Sequence, residues 1–159
     1  VSDLLKREAD YLNADPAVTA WLKVLPHVRR SSANVKRAHL WREGIVESRL
    51  DLATKMREHQ LVITITWPIT SGSKRAEDVQ ADLDTAIEAL LARITGPHGD
   101  KTHDGRFLSV VEMAADPRIV VAVGDPHQAL AQPPDQAQGR EQPALGAAIR
   151  YPVLETVDG

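Results

Sequence analysis

Two imidazoles and two carboxylates fall within seven residues in the run His98-Gly99-Asp100-Lys101-Thr102-His103-Asp104. Neutral imidazole and carboxylate are natural zinc or iron ligands, so His98, Asp100 and His103 could hold a divalent ion for metal-assisted chemistry. A structural zinc site, however, draws four ligands and supports them with further hydrogen bonds, and a catalytic one takes its ligands from rigid elements. Here glycines flank the cluster and Lys101 sits in its middle. The run therefore reads more readily as a turn-rich loop whose Lys101 and Asp104 are solvated or meet a neighbouring subunit. Residues 96–102 also fail as a phosphate-binding loop, which needs four residues between its glycines, a Lys directly after the second, and a helix to follow.

Other routes to catalysis are thinner still. There is no Gly-x-Ser-x-Gly, and Ser71 and Ser73, between a strand and a helix, have no base in view. The chain has no cysteine, which removes thiolate nucleophiles, disulfides and cysteine-bound zinc. His127, in Asp125-Pro126-His127, has no visible partner for general-base work, and His27, His39 and His59 read as scattered surface or loop residues. No cofactor motif is found. The expectation is a protein that is not an enzyme, with no catalytic, cofactor or metal residues.

Arg29, Arg30, Lys36 and Arg37 lie between Pro26 and Trp41 without an intervening acid. This local basic patch sits on a chain of net charge −3, with 11 Lys and Arg against 8 Asp and Glu in residues 1–60 and 8 against 14 beyond. One tryptophan is too few for a base-stacking platform, so a solvated or intersubunit surface is the simpler reading. A nucleic-acid or small-ligand module centred on Arg29 to Trp41 is the competing one.

The elements that must position these residues follow from periodicity. A chain of 159 residues, 43% apolar and 4% aromatic, fits one domain over residues 1–159 with a mostly aliphatic core. No apolar run approaches the roughly 18–20 residues of a membrane span, and the charged start Val-Ser-Asp-Leu-Leu-Lys-Arg-Glu reads as a cytosolic chain with its initiator Met removed. Leu4, Leu5, Ala9 and Leu12 predict a helix over residues 2–12. Asp15 and Pro16 predict a capped second helix reaching about Val24. Residues 27–50 read as a long loop with irregular strands near 39–41 and 44–46. The clearest strand is 61–67, where Leu61, Ile63, Ile65 and Trp67 share one face. The best helix is 76–95, on Val79, Leu83, Ile87, Leu90, Leu91 and Ile94, ended by Gly96-Pro97. Strands 107–113 and 118–123 should form an antiparallel hairpin around Ala115-Asp116-Pro117. Residues 132–143 read as a flexible loop, and a last strand covers 145–153. The fold class predicted is α+β: a mainly antiparallel sheet packed on one side by a long amphipathic helix, with short N-terminal helices.

The layout after Met56 resembles the small tail-terminator (tail-completion) proteins of long-tailed bacteriophages. Those proteins pass from a short helical segment through a β region into a strong strand, a long amphipathic helix and closing strands. The resemblance is carried by Arg57-Glu58-His59-Gln60-Leu61-Val62-Ile63-Thr64-Ile65-Thr66-Trp67 with the helix from Glu77 to Ile94. The run from Gly96 to Phe107 is similar to segments of such proteins from phages of actinobacteria, and the Ala, Asp, Arg and Val content suits a GC-rich genome. The resemblance implies a structural virion protein, assembled in the host cytoplasm, that forms a homo-oligomeric ring, usually a hexamer, in the tail or neck. The ring caps the tail tube, ends its polymerisation and joins it to the head–tail connector protein. Genomic DNA passes through the lumen without specific binding, and no membrane is involved. Candidate lumen or intersubunit contacts are then Arg29, Arg30, Lys36, Arg37, Lys74, Arg75 and Lys101. The alternatives are another head–tail joining or neck protein and, less favoured, a metal-dependent enzyme using the loop from His98 to His103.

Overall fold

The computed structural model describes residues 3–26, 36–68, 76–96, 101–124 and 144–158. The chain opens with helix α1 (Asp3–Asn13), which buries Leu4, Glu8, Ala9, Tyr11 and Leu12 on one face. Asp15 caps the next helix, its Oδ1 accepting from the Ala17 N–H at 2.9 Å, with Pro16 in the first turn where a missing N–H costs nothing. This helix, α2, is only Pro16–Thr19 and does not reach Val24. Val24 belongs instead to a two-residue strand, β1 (Val24–Leu25). The Asn13 side-chain amide explains why. It donates to the Val24 carbonyl at 2.8 Å and accepts from the Val24 N–H at 2.9 Å, standing in for a neighbouring strand.

Three long strands follow in space: β2 (Arg37–Arg49), β3 (Thr54–Pro68) and β6 (Ala144–Asp158). β3 lies between the other two and pairs antiparallel with both along its length. The full order is β1-β2-β3-β6-β4, with β4 (Ser109–Val110) and β5 (Val120–Gly124) sharing the outer edge of β6 end to end. Every pairing is antiparallel except that of β1 with β2. The alternation in β3 works as expected, with Leu61, Ile63, Ile65 and Trp67 in the main core beside Leu40, Ile149 and Tyr151. Val62 and Ala148, on the opposite face, are also buried, with Trp41 against them and its indole N–H donating to Thr64 Oγ1 at 2.8 Å.

The expected architecture, an α+β sheet packed on one side by a long amphipathic helix, is overturned. Strand makes up 44% of the described residues and helix 30%; the sheet curls into a half-barrel and the helices are short beside it. Helix α3 (Ala76–Thr95) has the boundaries that the periodicity predicts, but residue counts mislead about size. Its twenty residues rise about 30 Å, whereas the fifteen of β3 extend about 50 Å. The backbone of α3 comes closest to α1 and α2, while α1 also approaches β1 and β2, and α3 contributes Leu83, Leu90 and Ile94 to the core that helices and sheet share.

Two further expectations change. The long loop expected over residues 27–50 gives way, from Arg37 onward, to one continuous strand, β2, which takes in the irregular strands expected near 39–41 and 44–46, while residues 27–35 lie outside the described residues. The hairpin of strands 107–113 and 118–123 does not form, because β4 and β5 each pair with β6 and not with one another. Val111 has φ of +69°, a left-handed conformation strongly disfavoured for a β-branched residue, and this ends β4 after two residues. The chain then crosses β6, where the Ala115 N–H donates to Glu58 Oε1 of β3 at 2.9 Å.

Candidate functional site

Of the residues singled out for chemistry, His103 has the most structured surroundings. Thr102 Oγ1 accepts from the Gly105 N–H at 3.0 Å, and the Thr102 carbonyl accepts from the Phe107 N–H at 3.0 Å. His103, Asp104 and Gly105 all take positive φ, at 48°, 60° and 78°. This tight turn throws the His103 ring inward, where it is fully buried. Its Nε2–H donates to the Ile94 carbonyl at 2.7 Å, satisfying one of the orphan acceptors of the last turn of α3. Its Nδ1 lies 2.7 and 3.0 Å from the two oxygens of Glu8, which is also fully buried. Tyr151 of β6 donates its hydroxyl to Glu8 Oε2 at 2.9 Å. A carbonyl only accepts, so Nε2 carries a proton, and Nδ1 and the carboxylate share a second one between them.

Aromatic stacking completes the cluster. The Tyr11 ring stacks on His103 with centroids 4.0 Å apart, Phe107 meets the imidazole edge-on, and the Arg93 guanidinium covers the other face of Tyr11 at 3.7 Å. Arg93 Nε donates to the Tyr11 carbonyl at 3.0 Å, and the Tyr11 hydroxyl donates to the Arg93 carbonyl at 3.3 Å. Burial first, then the charge and hydrogen bond of Glu8, hold the Tyr151 phenol well above its usual range. Carboxylate, imidazole and phenol are the components of a proton relay, yet all three are shut away from solvent and each is held by the others. The arrangement fastens α1, the turn after α3, and β6 together.

This placement bears on the metal reading. His103 spends both ring nitrogens on Glu8 and Ile94, and Asp104 is exposed, its carboxylate 3.5 Å from Arg106. His98 and Asp100 lie outside the described residues, as do His27, Ser71, Ser73 and His127. Among the described residues no group of three or more His, Cys, Asp and Glu is placed to hold a metal ion. His39 and His59, read as surface or loop residues, are buried in β2 and β3. His59 Nε2 lies 2.8 Å from Glu155, and its Nδ1 has no hydrogen-bond partner among the described residues.

Of the basic candidates, Arg29, Arg30, Lys74 and Arg75 are outside the described residues. Lys36 is exposed with its ammonium 4.4 Å from the Trp67 ring, Arg37 is buried in β2, and Lys101 pairs with Glu112. The described members thus differ in setting: of the sequence neighbours Lys36 and Arg37 one is exposed and the other buried, and Lys101 is engaged by Glu112.

The feature that sequence reasoning missed is an arm. Past the core, β2 and β3 continue as a hairpin over residues 43–58, with the end of β6 alongside. The register shifts between Arg42 and Gly44, making Glu43 the extra residue of a bulge. At the tip Asp51 Oδ1 accepts from the N–H groups of Ala53 and Thr54, both at 2.8 Å, and these two bonds depress its carboxyl below the usual range. Arg57 and Lys55 of β3 flank Glu47 of β2 at 2.7 and 3.6 Å, and the Arg57 hydrogen bond holds Glu47 low. Ile45, Val46, Leu50 and Leu52 are nonetheless exposed, Leu52 at 93%. Its trace in the sequence was the irregular strand expected near 44–46, on the β-branched pair Ile45-Val46 amid charges.

No protein-family model matches the chain, and no curated protein matches it. Among the described residues no helix is long and apolar enough to cross a membrane.

Proposed function

We propose that this chain is a structural subunit of a long-tailed bacteriophage, a tail terminator that forms a ring on the end of the tail tube, stops its growth and receives the head–tail connector. The single observation that supports this reading best is the arm. A lone globular protein gains little from a β ribbon extending beyond its core with apolar side chains in water, whereas an assembly subunit uses such a surface against its neighbours. The buried Glu8–His103–Tyr151 network fits a body kept rigid while other parts make contacts. Genomic DNA passes through the lumen without specific binding. The net charge of −3 suits this role, because each neutralised phosphate adds affinity that would impede passage. Basic residues that line the lumen or meet a neighbour are drawn from Arg29, Arg30, Lys36, Lys74, Arg75 and Lys101, the buried Arg37 being excluded. The working location is the tail or neck of the virion.

Negative-stain microscopy of the protein mixed with growing tail tubes tests the reading. A ring of density at one tube end, with elongation halted, is the expected result. Tubes that elongate normally and carry no added density would remove it. Density on isolated connectors but not on tubes would move the protein to another neck position.

A further inference from the structure

Among the described residues the half-barrel is open, and its sheet ends in two strand edges. On one side the backbone of residues 42–49 in β2 hydrogen-bonds, among the described residues, to β3 alone. On the other, β5 bonds, among the described residues, to β6 alone. An edge strand presents a row of unpaired N–H and C=O groups that only another strand matches well, and proteins that must stay apart guard it with charges, proline or a bulge. β5 is Val-Val-Ala-Val-Gly and has none of these. β2 does carry charges and a bulge, but Glu43 is already paired with Arg150 and Glu47 with Arg57 and Lys55, while Arg49 donates to the Leu52 carbonyl within its own turn.

Each edge also exposes one large apolar side chain on either face. Ile45 (45% exposed) stands opposite His59 on the core face, and Val46 (60%) lies on the other. In β5, Val123 (44%) stands opposite Ala147 on the core face, and Val120 (41%) lies opposite Arg150 on the other. An antiparallel pairing that sets Ile45 against Val123 also sets Val46 against Ala122, with Val120 diagonally within reach, and every apolar side chain then meets its own face.

Strand direction selects the occupant. From β2 through β3 and β6 to β5 each step is antiparallel, so β5 runs opposite to β2. A β2 strand docking antiparallel on β5 therefore runs in the same direction as the β2 of the molecule that receives it. A second copy seated this way repeats the orientation of the first, which a head-to-tail, ring-closing contact requires. We infer that the β5 edge of one subunit receives the β2 edge of a second copy of this chain, continuing the sheet from subunit to subunit. The inference deepens the ring reading and rests on it for closure.

Two edge-blocked variants test it: Ile45→Lys with Val46→Lys, and Val120→Lys with Val123→Lys. Sedimentation of the unmodified chain at high micromolar concentration should show an assembly, and each variant alone a monomer with a native circular dichroism spectrum. Mixed in equal amounts, the two variants should form a heterodimer that grows no further, since each retains one working edge. An unmodified chain that stays monomeric, a variant that assembles normally, or a mixture that yields no heterodimer would each overturn the pairing. If a variant fails to fold, hydrogen exchange on the unmodified chain decides. Protection must rise at both 42–49 and 120–124 as the protein is concentrated, and a rise at one segment alone refutes it. Edge pairing without capture of tail tubes would uphold this contact and remove the terminator reading.

Discussion

Glu8 offers the sharpest test of the interior. Its carboxylate meets His103 Nδ1 at 2.7 and 3.0 Å and accepts from Tyr151 at 2.9 Å, with no solvent exposure. Glu8→Ala removes the acceptor and leaves the imidazole nitrogen and the phenol hydroxyl buried without partners, beside a new cavity. Removing one member of a buried pair costs about 3–5 kcal/mol. Against a total stability of roughly 5–15 kcal/mol, that is a large fraction. At about 2–4 °C per kcal/mol for a domain of this size, the Tm should fall by roughly 10 °C.

Glu8→Gln separates charge from hydrogen bonding. Glutamine can donate from its amide to Nδ1 of a neutral His103, accept the Tyr151 hydroxyl on its oxygen, and leave the Nε2–H bond to Ile94 in place. Every buried group keeps a partner, so the cost should be about 1 kcal/mol. Urea unfolding followed by circular dichroism, with thermal melts alongside, measures both variants. An Ala variant within about 1 kcal/mol of the unmodified chain would refute the claim that this network fastens the body. A Gln variant as unstable as the Ala variant would show that the hydrogen-bond pattern is not what holds it.

Three further outcomes are expected. Tyr151→Phe should cost about 1.5–3 kcal/mol at neutral pH, the range for a hydrogen bond to a charged acceptor. Because the folded-state pKa of Tyr151 lies above its unfolded value, its contribution is complete below about pH 10 and is lost as pH rises from there; the stability of the unmodified chain should fall more steeply with alkali than that of the variant, read by urea midpoints across pH. Asp51→Ala should speed hydrogen exchange around residues 50–56 and barely change the Tm. Its carboxyl is held low by the N–H groups of Ala53 and Thr54, so in the unmodified chain this ordering of the tip is present above the usual aspartate pKa and lost as pH falls through the depressed one. Asp15→Ala removes the cap of α2 and should cost about 1 kcal/mol in the same urea assay.

What could be read in advance followed burial. β3 and α3 announce themselves because their apolar residues recur at the period of the element, on faces that the core covers. The β2 arm gave no such signal, since both its faces meet water and no alternation is imposed on residues 43–49. Position 111 is equally opaque, as nothing in a valine announces a positive φ. Glu8 is a different case. It stands midway between Leu4 and Leu12 on the apolar stripe of α1, four residues from each, where a carboxylate must be buried and must therefore have partners. That demand was present in the sequence. The identity of the partners was not, because His103 and Tyr151 lie 95 and 143 residues away and reach Glu8 only through the tertiary fold.

The same reasoning about burial separates the body from the arm. In the body, a polar network with every described hydrogen bond satisfied sits among packed aliphatic residues and fixes one arrangement. In the arm, the ion pairs around Glu47 and between Glu43 and Arg150 are at least partly exposed, where solvent screening leaves such pairs little to contribute. A β ribbon with both faces wet is marginal by itself, so its order in a free subunit derives from continuity with the buried centres of β3 and β6. Stability should consequently fall from residue 61 toward the tip, and any partner that covers the β2 edge adds most where the chain has least. A subunit built in this way presents its contact surface as the part of the molecule most readily stabilised by contact.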